Sequence, residues 1–470
     1  MRQLSSLDAQ FLAVEDGRTV GHVSVLGVYD AQTASGRLLD AALLRELITE
    51  RLHLLPPFRW RLAAVPFDLD HPYWVDDAEI DLDYHVRELG LPTPGDDRQL
   101  AEQVARLISR PLDRAHPLWD LCVIHGLADG RVAVLIKMHH AAVDGMSGAE
   151  LMSVLLDDTA DGRTFPSTGR VEHESTPGQW EMLGRGLLGL CRQPVRAARV
   201  GARTLPHLDS VPTLRAVPGV KAMARSRGAV APRTRFQQPI SAHRRVAFGS
   251  VSLDEVKAVK TRFGCTVNDV VLALCASALR SWLDARDELP EQPLVVFVPT
   301  SVRTPEQLGT FGNRVSGMIA ELPTDEPNPR ERLRRVSTTM RAAKQRQQGV
   351  PDSVLQDAND LLPPALFAHA SRLAGWVATH PGASSAVNVA ISNVPGSPTT
   401  QYWVGSEQLA QYPISNVLDG IGLNFTVFSY RDQLSFGIVA DRAQLDDAWP
   451  MIDGLRTALA ELLGLPEDGS

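Results

Sequence analysis

Long apolar runs are missing from this chain. No stretch approaches the ~20 consecutive apolar residues that a membrane-spanning helix needs. The opening MRQLSSLDAQFLAVEDGR lacks the unbroken apolar core of a secretory signal, because acids interrupt its periodicity. Cysteine is scarce. Cys122, Cys191, Cys265 and Cys275 have no metal-ligand spacing and stand mostly among apolar neighbours. Buried free thiols in a reducing compartment are expected, not a disulfide framework. An excess of positive charge is also missing. The formal net charge is -8, which argues against a surface built as a whole to bind nucleic acid. No internal repeat is visible. These absences lead to the expectation of a cytoplasmic protein, with a membrane surface still open to it.

What is present is globular in composition, 44% hydrophobic and 22% charged over 470 residues, with room for two or three domains. Helix and strand signals mix throughout, as in an α/β or α+β fold. SSLDAQFLAVED, LLDAALLRELITERL and QLAEQVARLISR carry helical periodicity, and HVSVLGVYD alternates as a strand does. LWDLCVIHGL and RVAVLIKMHH read as neighbouring strands joined through a hairpin at ADG. SGAELMSVLLDD returns to helical spacing.

Residues 160–180 are rich in Gly, Ser, Thr and Pro and read as a loop. From Arg185 to Arg245 arginines are many and acids few. RGLLGLCRQPVRAARVGARTL mixes Leu and Val with Arg at helical spacing, and Pro194 is expected to interrupt or restart that helix. This basic crossover is either a solvated linker or a surface that meets anionic lipid. Beyond it, Ser252 with Glu255 and Thr266 with Asp269 form capping-box patterns ahead of two helices. PLVVFVPTSVR, GNRVSGMIAEL, SAVNVAISNVPG, GLNFTVFSY and QLSFGIVAD read as strands. PRERLRRVSTTMRAAKQRQQ and DDAWPMIDGLRTALAELLG read as helices.

KMHHAAVDGMSG holds the chemistry-bearing residues. Neighbouring strand side chains point to opposite faces. His139 and His140 therefore do not reach one metal together, and no His or Cys partner stands at a familiar zinc spacing, so no metal is expected. Two readings stay open, a packed strand end and a working histidine. Asp144 follows His140 by four residues at a strand-to-loop bend, and Gly145 comes next, permitting close backbone approach. A histidine at such a bend can take a proton from an alcohol, amine or thiol as it attacks. No G-x-S-x-G elbow accompanies it, and Ser147 stands where helix caps are usual. Direct attack by a bound acceptor is favoured over an acyl-enzyme.

HHAAVDG resembles the HHxxxDG motif of the coenzyme A-dependent acyltransferase superfamily. That group includes chloramphenicol acetyltransferase and peptide synthetase condensation domains. LSSLDAQFLAVED, PLDRAHPLWD, TVNDVVLA, GNRVS and NVAISNVPGSP together resemble the bacterial wax ester synthase/acyl-CoA:diacylglycerol acyltransferase family, in the expected order. PGSP departs from a more usual PGP. The resemblance implies two chloramphenicol acetyltransferase-like lobes, each a mixed sheet flanked by helices, with a channel between them. The expected boundaries are 1–180 for the lobe carrying HHAAVDG, 181–242 for the basic crossover and 243–470 for the second lobe.

The same resemblance implies transfer of a long acyl chain from acyl-CoA to diacylglycerol, giving a triacylglycerol, or to a fatty alcohol, giving a wax ester. Acyl-CoA is then a co-substrate and no bound cofactor is needed. The expected partners are these substrates and the inner face of the plasma membrane or a lipid droplet, held peripherally. His140 is implied as the base and His139 as structural. Asp144 is implied as a scaffold turning back to an arginine, best matched by Arg303 in PTSVRTP, which otherwise reads as an exposed loop arginine. Gly145 is implied to keep the channel open for the pantetheine arm. Arg114, Pro117, Leu118 and Trp119 either shape the acyl or acceptor pocket or pack the core. Asn268 and Asp269 either serve the developing oxyanion or cap their helix. The alternatives are the same fold with another acceptor or a carrier-bound donor, and a catalytically silent lipid-droplet protein.

Overall fold

The computed structural model describes residues 1–77, 79–143, 145–165, 177–204, 231–301, 315–348 and 386–465. Two six-stranded mixed sheets organise them, with a small three-stranded sheet beside the first. The first large sheet runs Tyr402–Trp403, Ser406–Ile414, His22–Tyr29, Val132–His139, Trp119–His125, Val86–Gly90. The second runs Val315–Leu322, Leu294–Ser301, Val389–Val394, Leu423–Tyr430, Gln433–Asp441, Arg244–Ser252. The expected hairpin forms between Trp119–His125 and Val132–His139, turning where Asp129 and Gly130 take positive φ of 63° and 71°.

The sheets cut the chain differently from the sequence boundaries. Tyr402–Trp403 and Ser406–Ile414, from the segment 243–470 assigned to the second lobe, pair into the first lobe's sheet. The physical reason is polar. Ser406 Oγ donates to the Asp30 carbonyl at 2.5 Å, and Gln408 Nε2 donates to the Tyr29 hydroxyl at 3.0 Å. Pro194 does not break the crossover helix, which runs Gln179–Thr204. A proline deletes one N–H donor, and the other rungs of the helix remain available.

Among the described residues, three large apolar clusters and a small one at Ala231, Val295 and Val387 hold the lobes. In the second lobe the helix Val267–Asp284 is buried along most of its length, from Val270 to Leu283. The first lobe packs Leu44, Ile48, Phe58, Trp74, Trp119 and Trp403. A third cluster lies at the seam, where Leu26, Leu100, Val104 and Leu135 meet Val246, Phe248 and Val439 of the second sheet. The seam helix Asp97–Ile108 makes this contact because Leu100, Val104 and Ile108 recur every four residues on one face. Asp96 and Gln99 close a capping box at its start. Truncating one of these buried aliphatics to alanine would cost about 2–5 kcal/mol.

Candidate active site

The strand Val132–His139 delivers the two histidines. Its ladder with His22–Tyr29 places His139 opposite His22. His139 N–H donates to the Leu118 carbonyl at 3.0 Å, and His140 N–H donates to the Gly21 carbonyl at 2.8 Å. His139 is buried at 1% exposure. It shares a strand face with Ala133 and Leu135, which pack against the seam helix. His140, the next residue, lies in the turn after the strand and is half-buried. Its ring stacks on Phe11, centroids 4.6 Å apart and planes 11° apart.

The His139 ring is held by a hydrogen bond at Nδ1 and an ionic contact at Nε2. Ala141 N–H donates to Nδ1 at 3.0 Å, which leaves the ring proton on Nε2. Nε2 lies 3.2 Å from Glu15 Oε1, off the ideal hydrogen-bond line. Glu15 is the functional neighbour that sequence reasoning did not single out. Gly21 N–H donates to its Oε1 at 2.7 Å, and Arg114 Nη2 donates to its Oε2 at 2.7 Å. Burial would raise this carboxyl, but contacts with His139, Arg114 and the Gly21 N–H outweigh burial and hold its pKa at about 2.

This carboxylate fastens several segments at one point. Arg114 also reaches the Leu12 carbonyl at 2.5 Å, at the end of the helix Ser6–Ala13 that carries Phe11. Gly21 approaches so closely that a Cβ there would stand 2.5 Å from His139 Nε2 and 2.8 Å from the Phe11 carbonyl. The turn between them is pinned by Asp16, which accepts from Thr19 N–H at 2.9 Å and Arg18 N–H at 3.1 Å. Second-lobe groups hold the same turn. Asn416 Nδ2 donates to the Val20 carbonyl at 2.9 Å, and Arg244 donates to the Arg18 carbonyl.

The other sequence-predicted residues fall in distinct places. Arg114 meets Glu15. Pro117, Leu118 and Trp119 are buried at the start of the strand beside the histidine strand. Trp119 stacks between Phe58 and His85 and donates Nε1–H to the Phe58 carbonyl at 2.9 Å. Asp269 completes the capping box with Thr266, bonds of 2.9 and 3.1 Å running both ways. Asn268 accepts from Asn393 Nδ2 at 3.5 Å, which joins the TVNDVVLA and NVAISNVPG stretches. Gly145 opens the helix Gly145–Leu155. Asp144 and Arg303 lie outside the described residues, and their expected pairing with them. Among the described residues no single helix is long and apolar enough to cross a membrane.

Comparison with known proteins agrees with this architecture. Residues 4–271 match the family described as wax ester synthase/diacylglycerol acyltransferase catalytic domain, and residues 311–463 match the WS/DGAT C-terminal domain. A putative diacylglycerol O-acyltransferase of Mycobacterium tuberculosis (strain CDC 1551 / Oshkosh) is 35% identical over 470 residues, covering 100% of this chain and 91% of the relative. The solved wax ester synthase/diacylglycerol acyltransferase from Marinobacter aquaeolei VT8 is 31% identical with a TM-score of 0.69, covering 99% of this chain and 100% of that one. The first condensation domain of the CDA synthetase, 15% identical with a TM-score of 0.56 over 99% and 97% of the two chains, shares the fold. The chain belongs to the wax ester synthase/diacylglycerol acyltransferase family of enzymes.

Proposed function

We propose that this enzyme transfers a long-chain acyl group from acyl-CoA to a lipid hydroxyl, on diacylglycerol or a long-chain alcohol, with His140 as general base. The observation that carries the reading is the contrast between the two histidines. His139 is sealed in the core, its Nδ1 hydrogen-bonded and its Nε2 beside the Glu15 carboxylate, while its neighbour sits half-buried at the turn with its ring stacked on Phe11. In the proposed reaction the acceptor oxygen attacks the thioester carbon and His140 takes the hydroxyl proton. The carbon–sulfur bond then breaks, and His140 returns the proton to the leaving coenzyme A sulfur. Coenzyme A enters as a co-substrate, and the reaction as written uses no bound cofactor or metal. Asn393 engages the carbonyl oxygen of the Asn268 amide, so the NH₂ group of Asn268 is a candidate donor to the oxyanion.

The acceptors are water-insoluble, so the enzyme must work at a lipid surface. The crossover helix supports that reading. Gly186 and Gly189 let it approach Val65 and Asp70 closely, where a Cβ would stand 2.6 and 2.1 Å away. The opposite face presents Trp180 and Leu187, 86% and 51% exposed. Exposed Leu188, Leu190 and Phe67 add apolar surface beside it.

Release of free thiol from palmitoyl-CoA, measured with diacylglycerol, hexadecanol or no acceptor, tests the proposal. Acceptor-dependent release is expected. Release that ignores both acceptors would overturn the lipid-hydroxyl reading in favour of another acceptor.

A further inference from the structure

An open cleft of about 450 Å³ lies where the seam helix meets the start of the strand Arg244–Ser252. Its volume falls within the roughly 300–1,000 Å³ typical of small-molecule pockets. Five arginines line it, Arg106 and Arg110 from the first lobe and Arg244, Arg245 and Arg442 from the second, against one acid, Glu102. Asp441 and Asp419 compensate Arg244, whereas the charge of the other four is poorly compensated within the protein. Arg106 contacts Glu102 at 3.9 Å and donates Nη1–H to Gln103 Oε1 at 3.5 Å, both weak contacts of an exposed guanidinium. Among the described residues no carboxylate pairs with Arg110, Arg245 or Arg442.

Arg244 is 4% exposed. Its guanidinium is spent on backbone carbonyls, Ser241 at 2.6 Å, His243 at 3.3 Å, and Arg18. Its Nε, and that of Arg245, are buried without a partner. Buried N–H donors on cations are costly unless an acceptor meets them. The helix end does not repel an anion here, because its carbonyls are engaged. Lys137 Nζ reaches the Leu107 and Arg110 carbonyls at 3.5 and 3.0 Å, and His22 Nε2 reaches the Ile108 carbonyl at 2.9 Å.

The cleft is also tied to the histidines. His22, which holds Ile108, is the ladder partner of His139. Arg244 grips Arg18, in the turn that joins Glu15 to Gly21. A ligand in this cleft therefore bears on both lobes and on the segments that position His140.

We infer that this cleft binds the phosphate groups of the acyl donor, so that the nucleotide end of coenzyme A sits between Arg106, Arg110, Arg245 and Arg442. The assignment rests on the coenzyme A donor proposed above. The shared chemistry is a phosphate polyanion, whose other source is an anionic lipid headgroup. A concave, two-lobed site with several converging guanidinium groups suits a compact polyphosphate.

Equilibrium binding to the full chain at low salt tests the cleft, with coenzyme A, 3′-dephospho-coenzyme A, inorganic phosphate and phosphatidylglycerol vesicles as separate probes. The variant is Arg110→Ala/Arg442→Ala, because both side chains are exposed and no carboxylate holds them. The Kd for coenzyme A should rise by about tenfold or more, the size of losing one or two charge-assisted contacts. The preference for coenzyme A over its 3′-dephospho form should shrink, and vesicle binding should stay as in the parent. The KM for palmitoyl-CoA should rise in parallel. Unchanged coenzyme A binding overturns the inference, as does a loss confined to vesicles, which assigns the cleft to headgroups. Binding requires no turnover. A chain that binds coenzyme A through the cleft yet transfers nothing contradicts the proposed reaction alone, and one that transfers with an unchanged Kd in the variant contradicts the cleft alone.

Discussion

Glu15 and His139 meet with their side chains 9% and 1% exposed, 3.2 Å apart, directly behind the turn that presents His140. The carboxylate draws the first helix, the Gly21 turn and the Arg114 segment onto one buried ring.

Replacing Glu15 by Gln should make stability less dependent on acid. The Glu15 pKa falls from its ordinary 4.5 to about 2 on folding, equivalent to roughly 3 kcal/mol. A carboxyl lowered on folding stabilises the protein fully above its unfolded value, and that stability is lost as pH falls through the folded value. The stability gap between parent and Glu15→Gln should therefore be largest above about pH 4.5 and shrink towards pH 2. Urea unfolding across that window measures it. A gap that stays constant with pH would show that Glu15 does not titrate as described.

Gly21→Ala should damage the site without touching a reacting atom. The new methyl would collide with the locked His139 ring and the Phe11 carbonyl. Overpacking of this kind costs about 1–3 kcal/mol. A lowered Tm and a lowered kcat are expected together, because Phe11 and Gly21 both hold His140. Wild-type Tm and turnover in this variant would mean the backbone relaxes freely there.

Trp180→Ala/Leu187→Asp should weaken flotation with anionic liposomes while leaving thermal stability near that of the parent. The reason is the exposure of both side chains on the face of the helix away from Val65 and Asp70. Unchanged flotation would remove the crossover helix from the account of how the enzyme meets lipid.

Much of this was legible in the sequence where hydrophobic period and burial agree. The seam helix shows Leu100, Val104 and Ile108 at helical spacing, and the helix after Thr266 and Asp269 starts at its capping box. The strand Ser406–Ile414 was not legible, because its pattern is inverted. Ser406, Gln408 and Gln411 are buried there while Leu409 is 44% exposed, and Pro413 stands within the strand. A period of two in hydrophobicity cannot find a strand whose inner face bonds through polar groups. Glu15 was hidden for a related reason. In FLAVED it resembles any surface acid beside a helix, and only the fold brings Arg114 and His139 to it. Gly21 offered the one available signal, a glycine just before a strand that contains no turn.

The division of labour between the two histidines is measured most directly by acceptor-dependent thiol release from palmitoyl-CoA, compared with Tm, in His140→Ala and His139→Ala. His140→Ala should lower turnover by about 10²–10⁴-fold with Tm close to the parent's, as for a lost general base. His139→Ala should lower Tm first, since it leaves Glu15 and the Ala141 N–H without their buried partner. Near-parental turnover in His140→Ala, with the fold intact, would contradict the account.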